Sequence, residues 1–275
     1  MKVLVVGDRI IDHYKWCKAD RLCPEGPAPV LHVLSETTVA GGAANVKENL
    51  VSLMGQQNVL SEYGSVSHKE RIFADRHLLV RIDRDKYSVV TPQYYASRIQ
   101  VLARQVDVIV VGDYGKGAIT PEVATMLLSV ERDFGKRLFV DAKHNVDWYR
   151  GCFAVFPNEN EHNHLQAKDY QHIIRKLGPK GCSVDGMLVP TQEQQVYDVT
   201  GAGDVFLAAF VTAYAEYFVV GSPVLDTLML GQLCECAKFA NRAAGISVRH
   251  LGTYIVKPEE VFVRSAEETN NAKAE

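Results

Sequence analysis

Asp198-Val199-Thr200-Gly201-Ala202-Gly203-Asp204, followed at once by the apolar run of residues 205–214, decides how the rest of the chain is read. Glycines on either side of a single alanine let the backbone turn tightly and expose consecutive N–H groups. The run behind them has the length and apolarity of a buried helix, so those amides would sit at a positive helix end and form an anion site. Asp204 is discordant there. A carboxylate among groups arranged for anions repels a bound phosphate unless it is present to take a proton, which is the work of a general base. The same string also reads as a plain N-cap turn in which Asp204 caps a core helix.

The 275 residues are 47% hydrophobic, enough for one large core or a core with a small appendage. A net charge of −3 with no basic block argues against a nucleic-acid surface. Six cysteines without a Cys-x-x-Cys pair, and an N-terminus that runs straight into a strand, lead us to expect a cytoplasmic chain with reduced thiols. Cys234 and Cys236 diverge on a helix and read as packing residues. The run near residues 205–215 is too short to cross a bilayer, so no membrane span is expected. Residues 265–275 are polar and read as a flexible tail.

Residues 2–6 form an apolar strand that ends in Gly7-Asp8, with Ile10-Ile11-Asp12 following after one turn. Prolines and weak alternation over residues 13–39 suggest an appended flap. Gly41-Gly42-Ala43-Ala44-Asn45 then opens a helix with Val46, Leu50 and Leu53 on one face, closed by Gly55. Residues 71–83 alternate, with Leu78, Val80 and Ile82 on one side, and complete the flap. Residues 106–111 are a buried strand ending in Gly112-Asp113. Thr120-Pro121-Glu122 starts a helix that Gly135 stops, and residues 138–141 and 153–156 are further strands. Residues 225–244 read as a helix capped by Gly245, with strands at 246–248 and 254–256 after it. Polar residues gather after strand ends, namely Asp8, Asp12, Asp113, Asp141, Lys143, Asn158 and Glu161. Open α/β sheets bind ligands at that edge. His162 and His164 lack companion ligands at zinc spacing and read as surface residues. We expect one domain over residues 1–264, with lid strands from about 13–39 and 71–84.

Gly41-Gly42-Ala43-Ala44-Asn45, Asn158-x-x-Glu161 and Asp198-x-Thr200-Gly201-Ala202-Gly203-Asp204, in that order, resemble the ribokinase-like (PfkB) carbohydrate kinases. One branch is more similar. Arg21-Leu22-Cys23-Pro24-Glu25-Gly26-Pro27-Ala28-Pro29-Val30, Arg81-Ile82-Asp83, Asp113-Tyr114-Gly115-Lys116-Gly117, Val196-Tyr197-Asp198-Val199-Thr200 and Asn241-Arg242-Ala243-Ala244-Gly245-Ile246 resemble the kinase domain of D-glycero-D-manno-heptose 7-phosphate kinases, as does Leu251-Gly252-Thr253. The resemblance implies a ribokinase-like three-layer α/β/α sandwich, with a mostly parallel central sheet and a small β-strand lid. It implies phosphoryl transfer from ATP, with Mg²⁺, to the anomeric hydroxyl of a heptose 7-phosphate, and a homodimer formed through the lid.

By family role, Asp204 takes the acceptor proton and the amides of Gly201, Ala202 and Gly203 stabilise the transferred phosphoryl. Asn158 and Glu161 organise Mg²⁺, and Lys143 and Thr200 face the nucleotide phosphates. Gly178, Lys180 and Gly181 line the ATP loop, with Asn241 and Ala244 at the adenine pocket. Asp12, Gly42 and Asn45 contact the sugar, while Arg81 and Lys116 are candidates for its distal phosphate. The sequence also departs from the branch. A strand–helix segment with a Gly-Asp-Asp-type sugar contact is reduced to residues 61–69, the stretch between Glu161 and Lys180 is short, and we expect no nucleotidyltransferase domain after residue 275. Trimming on the sugar side leaves two alternatives open, a kinase for another small sugar, sugar phosphate or nucleoside, and a binding module that has lost turnover.

Overall fold

In strand β1 (Val3–Leu22) and strand β5 (Val108–Asp113), successive apolar side chains point to opposite faces of a sheet covered on both sides. Val3, Val5, Val108 and Val110 join a core under helices α1 (Ala43–Met54), α5 (Ala202–Tyr217) and α6 (Asp226–Ser247). Leu4, Val6, Ile109 and Val111 join a second core under α2 (Pro92–Ala103) and α3 (Pro121–Phe134). The outcome is the expected three-layer sandwich. This computed structural model describes residues 1–262 except 76, 87–89, 163–164, 193 and 218–225. The tail at 265–275, His164 and the first residue expected in the late helix lie outside the described residues.

The remaining strands are β2 (Pro29–Gly42), β3 (Val59–Ala74), β4 (His77–Lys86), β6 (Arg137–Ala142), β7 (Ala154–Val155), β8 (His172–Lys176), β9 (Cys182–Val184) and β10 (Met187–Val189). Their order across the sheet is β10-β9-β8-β7-β6-β5-β1-β3-β4, with β2 also on β1. Pairing is parallel from β8 through β3 and antiparallel at β9, β10, β4 and β2. Short helices α4 (Glu159–His162) and α7 (Pro258–Val261) complete the chain. No helix among the described residues is long and apolar enough to cross a membrane.

The first strand does not end at Gly7, as the sequence suggests. β1 pairs with β5 only from Val3 to Gly7, and β2 then takes that edge from Arg9 to Leu22. β3 stays alongside from Val59 to Ala74, and β4 covers its far edge. The lid is therefore the continuation of two core strands, and β2 supplies the hydrogen-bond partners that a strand end would otherwise lack. Glycines mark the junction: Gly7, with φ of 132°, lies opposite an irregularity at Gly64 on β3, and β2 ends in Gly41-Gly42.

The helix expected to stop at Gly245 runs on to Ser247, and the two strands after it are absent. Residues 254–256 bond to α1 side chains instead. Asn49 Oδ1 accepts the Val256 N–H at 3.0 Å, and Ser52 Oγ donates to the Val256 carbonyl at 2.8 Å. These side chains satisfy the backbone without a neighbouring strand. Helix α2 and strands β8 to β10 were not anticipated. Thr91-Pro92 was a legible start signal for α2, since Thr91 accepts the Tyr94 N–H and Pro92 occupies the first turn.

Candidate active site

Asp204 lies in the first turn of α5, whose residues from Asp204 to Tyr214 are all buried. The chain reaches the helix through Gly201, whose φ of 76° favours glycine. A Cβ added there would stand 2.8 Å from Asn45 Nδ2. That Asn45 nitrogen donates to Asp204 Oδ2 at 2.9 Å, and Asn45 Oδ1 accepts from Asn49 at 3.1 Å. Asn45, expected to meet the sugar, here gives its side-chain amide to the Asp204 carboxylate. The other Asp204 oxygen accepts the Tyr114 hydroxyl. Burial raises the Asp204 carboxyl above the usual aspartate range, opposed by these two donors and by Lys143.

Tyr114 was missed as a site residue although it stands in a quoted motif. Asp8 explains its placement. Fully buried, Asp8 accepts the N–H groups of Tyr114 at 2.7 Å, Lys116 at 3.1 Å and Ala118 at 2.9 Å, and the Ser65 hydroxyl at 2.6 Å. One carboxylate just past the end of the β1–β5 pairing therefore fixes the loop that carries Tyr114.

Beside this carboxylate, Asp141 at the end of β6 is held by two ammonium groups. Lys143 Nζ is 3.0 Å from one oxygen and Lys176 Nζ is 2.7 Å from the other. Burial alone would raise the Asp141 pKa, but the two lysines outweigh it and hold it below the usual range. Burial lowers the Lys176 pKa, with Lys143 adding to that effect. Lys143 also lies 3.7 Å from Glu161, and both line a cleft of about 500 Å³ with His144, Asn158 and Asn160. Glu161 accepts from the Asn158 N–H at 2.8 Å and from its side-chain amide at 2.7 Å. Among the described residues no group of three or more carboxylate, His or Cys side chains forms a metal cage. One carboxylate with an adjoining amide fits Mg²⁺, which keeps waters and takes phosphate oxygens as further ligands. Thr200 gives its N–H and hydroxyl to Asp198, at 2.9 and 2.7 Å, and the Ala202 N–H closes a turn onto Val199 at 3.2 Å. These commitments leave Gly201 and Gly203 as the better placed amides for an anion.

Gly178–Lys180 forms an exposed 3-10 turn, and Gly181 packs so closely that a Cβ would stand 2.4 Å from the Val189 carbonyl. A cleft of about 310 Å³ nearby is lined by Pro190, Thr191, Gln194, Lys238, Asn241 and Arg242. Asn241 donates to the Val189 carbonyl at 3.0 Å and so shapes this cleft through the backbone. Ala244 is partly buried against the α1–α5–α6 core.

On the lid side, buried Asp12 is ion-paired with Arg71 of β3. Arg71 also lies over the Tyr14 ring, 5.2 Å from its centroid, and burial pushes the Tyr14 hydroxyl up to about 12. Burial lowers the neighbouring Lys69, with Asp12 and Asp83 acting against it. Gly42 starts α1 with φ of 60°, where a Cβ would stand 2.8 Å from the Asp8 carbonyl. Arg81 and Lys116 each have a carboxylate of their own, Asp83 at 2.9 Å and Asp85 at 2.6 Å. The cations nearest Asp12 are therefore Arg71 and Lys69, which the sequence reading passed over as ordinary strand residues.

Residues 146–260 match the model of the pfkB family carbohydrate kinase. The bifunctional protein HldE of Wolinella succinogenes is 30% identical over 91% of this chain and 62% of its own length. The chain thus spans less than two thirds of that relative. Ribokinase from Giardia lamblia superposes with a TM-score of 0.69 at 14% identity, covering 100% of this chain and 99% of that one. Arabidopsis thaliana ribokinase complexed with ribose and ATP gives 0.67 at 17% identity, over 94% and 97% of the two chains.

Proposed function

From the premise that the chain belongs to the pfkB family of carbohydrate kinases, we propose that it transfers the γ-phosphoryl group of ATP to the anomeric hydroxyl of a heptose 7-phosphate. The observation that carries this reading is the Asp204 carboxylate, buried in the first turn of α5 and oriented by Asn45 and Tyr114 beside two lysines. A binding module gains nothing from a base next to phosphate, whereas phosphoryl transfer needs positioning, charge neutralisation and a proton acceptor. The acceptor hydroxyl gives its proton to Asp204. Its oxygen bonds to the γ-phosphorus as the bond to the β,γ-bridging oxygen breaks, and ADP leaves with that electron pair.

Lys143 and the amides of Gly201 and Gly203 face the transferred group, and a Mg²⁺ ion arriving with ATP would be held by Glu161 and Asn158 and neutralise phosphate charge. Lys180, Gly178 and Gly181 border the nucleotide, with Asn241 and Ala244 behind the adenine. Asp12 accepts from sugar hydroxyls, and Arg71, Lys69 and Arg81 meet the distal phosphate. The motifs that resemble heptose 7-phosphate kinases, together with the match to HldE along most of this chain, favour the heptose phosphate as acceptor. Leu78, Leu79, Val80 and Ile82 of β4 and Val33 and Leu34 of β2 are exposed, and we assign this apolar lid surface to a homodimer.

The test is acceptor-dependent ADP release from MgATP, with D-glycero-D-manno-heptose 7-phosphate beside other hexose and heptose phosphates and Asp204→Asn as control. Turnover of the heptose phosphate that the substitution abolishes supports the reading. Turnover of a different acceptor alone corrects the substrate, and no turnover with retained ATP binding overturns the kinase.

A further inference from the structure

We propose that Lys176 is a second phosphoryl ligand, its ammonium binding the group in transfer from the side of Gly203. This deepens the kinase reading and rests on it. Lys176 is the last residue of β8, where it bridges in parallel register to Asn158 and gives its N–H to the Pro157 carbonyl at 2.8 Å. Its side chain therefore leaves the sheet at the same edge as the Asn158–Glu161 pair. The ammonium stands 3.5 Å from where a Cβ on Gly203 would lie, beside the first turn of α5. A Cβ at 203 would be in ordinary van der Waals contact with it.

Charge supplies the second part of the case. Asp141 is 1% exposed and already has the Lys143 ammonium at hydrogen-bond distance. A second ammonium on the same carboxylate, on a side chain only 14% exposed, costs desolvation and repels the first, with Glu161 and Asp204 the other carboxylates that act on Lys143. The two Glu161 oxygens are engaged by Asn158, with Lys143 beyond hydrogen-bond range at 3.7 Å. A phosphoryl group beside Gly203 would give the Lys176 ammonium an anionic partner other than the Asp141 carboxylate it shares with Lys143. A transferring phosphoryl spreads negative charge over three equatorial oxygens, and a compact ammonium at the helix N-terminus stabilises that charge. In the step, the proton moves from the acceptor oxygen to Asp204, the new oxygen–phosphorus bond forms and the β,γ bond breaks. Lys176 exchanges no proton and contributes charge alone.

The experiment compares wild type, Lys176→Met and Lys176→Arg by steady-state kinetics and by calorimetric binding of MgADP, with and without aluminium fluoride as the phosphoryl mimic. We expect Lys176→Met to lose about 100-fold in kcat, the scale of one transition-state donor. Binding of MgADP alone should stay within about threefold while the fluoride complex weakens by about the same factor as kcat, and Lys176→Arg should recover part of the loss. Unchanged kcat, or equal weakening with and without fluoride, overturns the proposal. Should Lys176→Met fail to fold, Asp141→Asn/Lys176→Met removes the buried charges together and takes its place. Near wild-type kcat in that double variant reduces Lys176 to a counter-ion of Asp141 and overturns it as well. A wild type that turns over no acceptor sinks the kinase reading and this assignment together, whereas an active wild type with an indifferent Lys176 sinks this assignment alone.

Discussion

The two halves of the site are built on opposite plans. On the phosphoryl side, Asp141, Lys143, Lys176 and Asp204 stand at the ends of short core elements, and one carboxylate serves two cations. On the sugar side, Asp12, Arg71, Tyr14 and Lys69 sit on two long strands that leave the core, and Asp12 is matched with Arg71. A fixed cluster of charges suits a constant ligand such as a nucleotide phosphate. Paired charges on a lid suit a ligand that must displace a partner to enter, so specificity belongs to this half.

The largest effect that would break this division is Asp204→Asn, for which we expect a loss of about a thousandfold in kcat with little change in either KM, measured by coupled ADP release. A rise in acceptor KM alone would move Asp204 to the sugar side. Next comes Arg71→Met. Losing a charge-assisted contact worth about 1.5–3 kcal/mol should raise the KM of a phosphorylated acceptor about ten- to a hundredfold and leave that of ATP unchanged. Equal effects on both substrates would erase the distinction between the halves.

Tyr114→Phe sharpens the comparison through pH. The Asp204 pKa is raised by burial and pulled back by the Tyr114 donor, so removing that donor raises it further. A base must be deprotonated, and the acid limb of kcat/KM should therefore move to higher pH in the variant. A limb moving to lower pH would show that Tyr114 acts otherwise. The smallest effect lies far from both halves. Burial pushes Glu131 up to about 7 from 4.5 while it accepts the Leu138 and Phe153 N–H groups at 3.0 Å. A raised carboxyl supports the fold fully below its unfolded value and loses that support as pH climbs through about 7. Glu131→Gln should flatten the decline of Tm between pH 5 and 8 and leave both KM values in place. A steeper decline would reverse the sign of this account.

The residues of the proposed phosphoryl side could be singled out because they lie in contiguous strings, Asn158 to Glu161 and Thr200 to Asp204, the second with glycines that have local backbone reasons to be there. Lys176 and Arg71 carry no such signature. Each is a single cation in a strand, and only the pairing of β8 beside Asn158 and of β3 beside β1 gives it a place. The three layers were implied by the family resemblance, while the apolar runs gave the first core strands and Thr120-Pro121 with Gly135 gave α3. The course of β1 past Gly7 did not, because a strand end is decided by whether a partner continues, and that partner, β2, lies about 30 residues further on. Asn45 was assigned to the sugar for a similar reason, since its proximity to Asp204 spans 159 positions.

That uninterrupted β1 makes the lid a cantilever. A beam clamped at one end transmits load at its free end into the clamp, and here the clamp is the stretch Val3–Gly7 between β3 and β5. Asp8, the next residue, grips the loop that carries Tyr114. Deflection of the lid by a bound ligand would thereby act as torque at the loop whose Tyr114 donates to Asp204, with Gly7 and Gly64 at the bend.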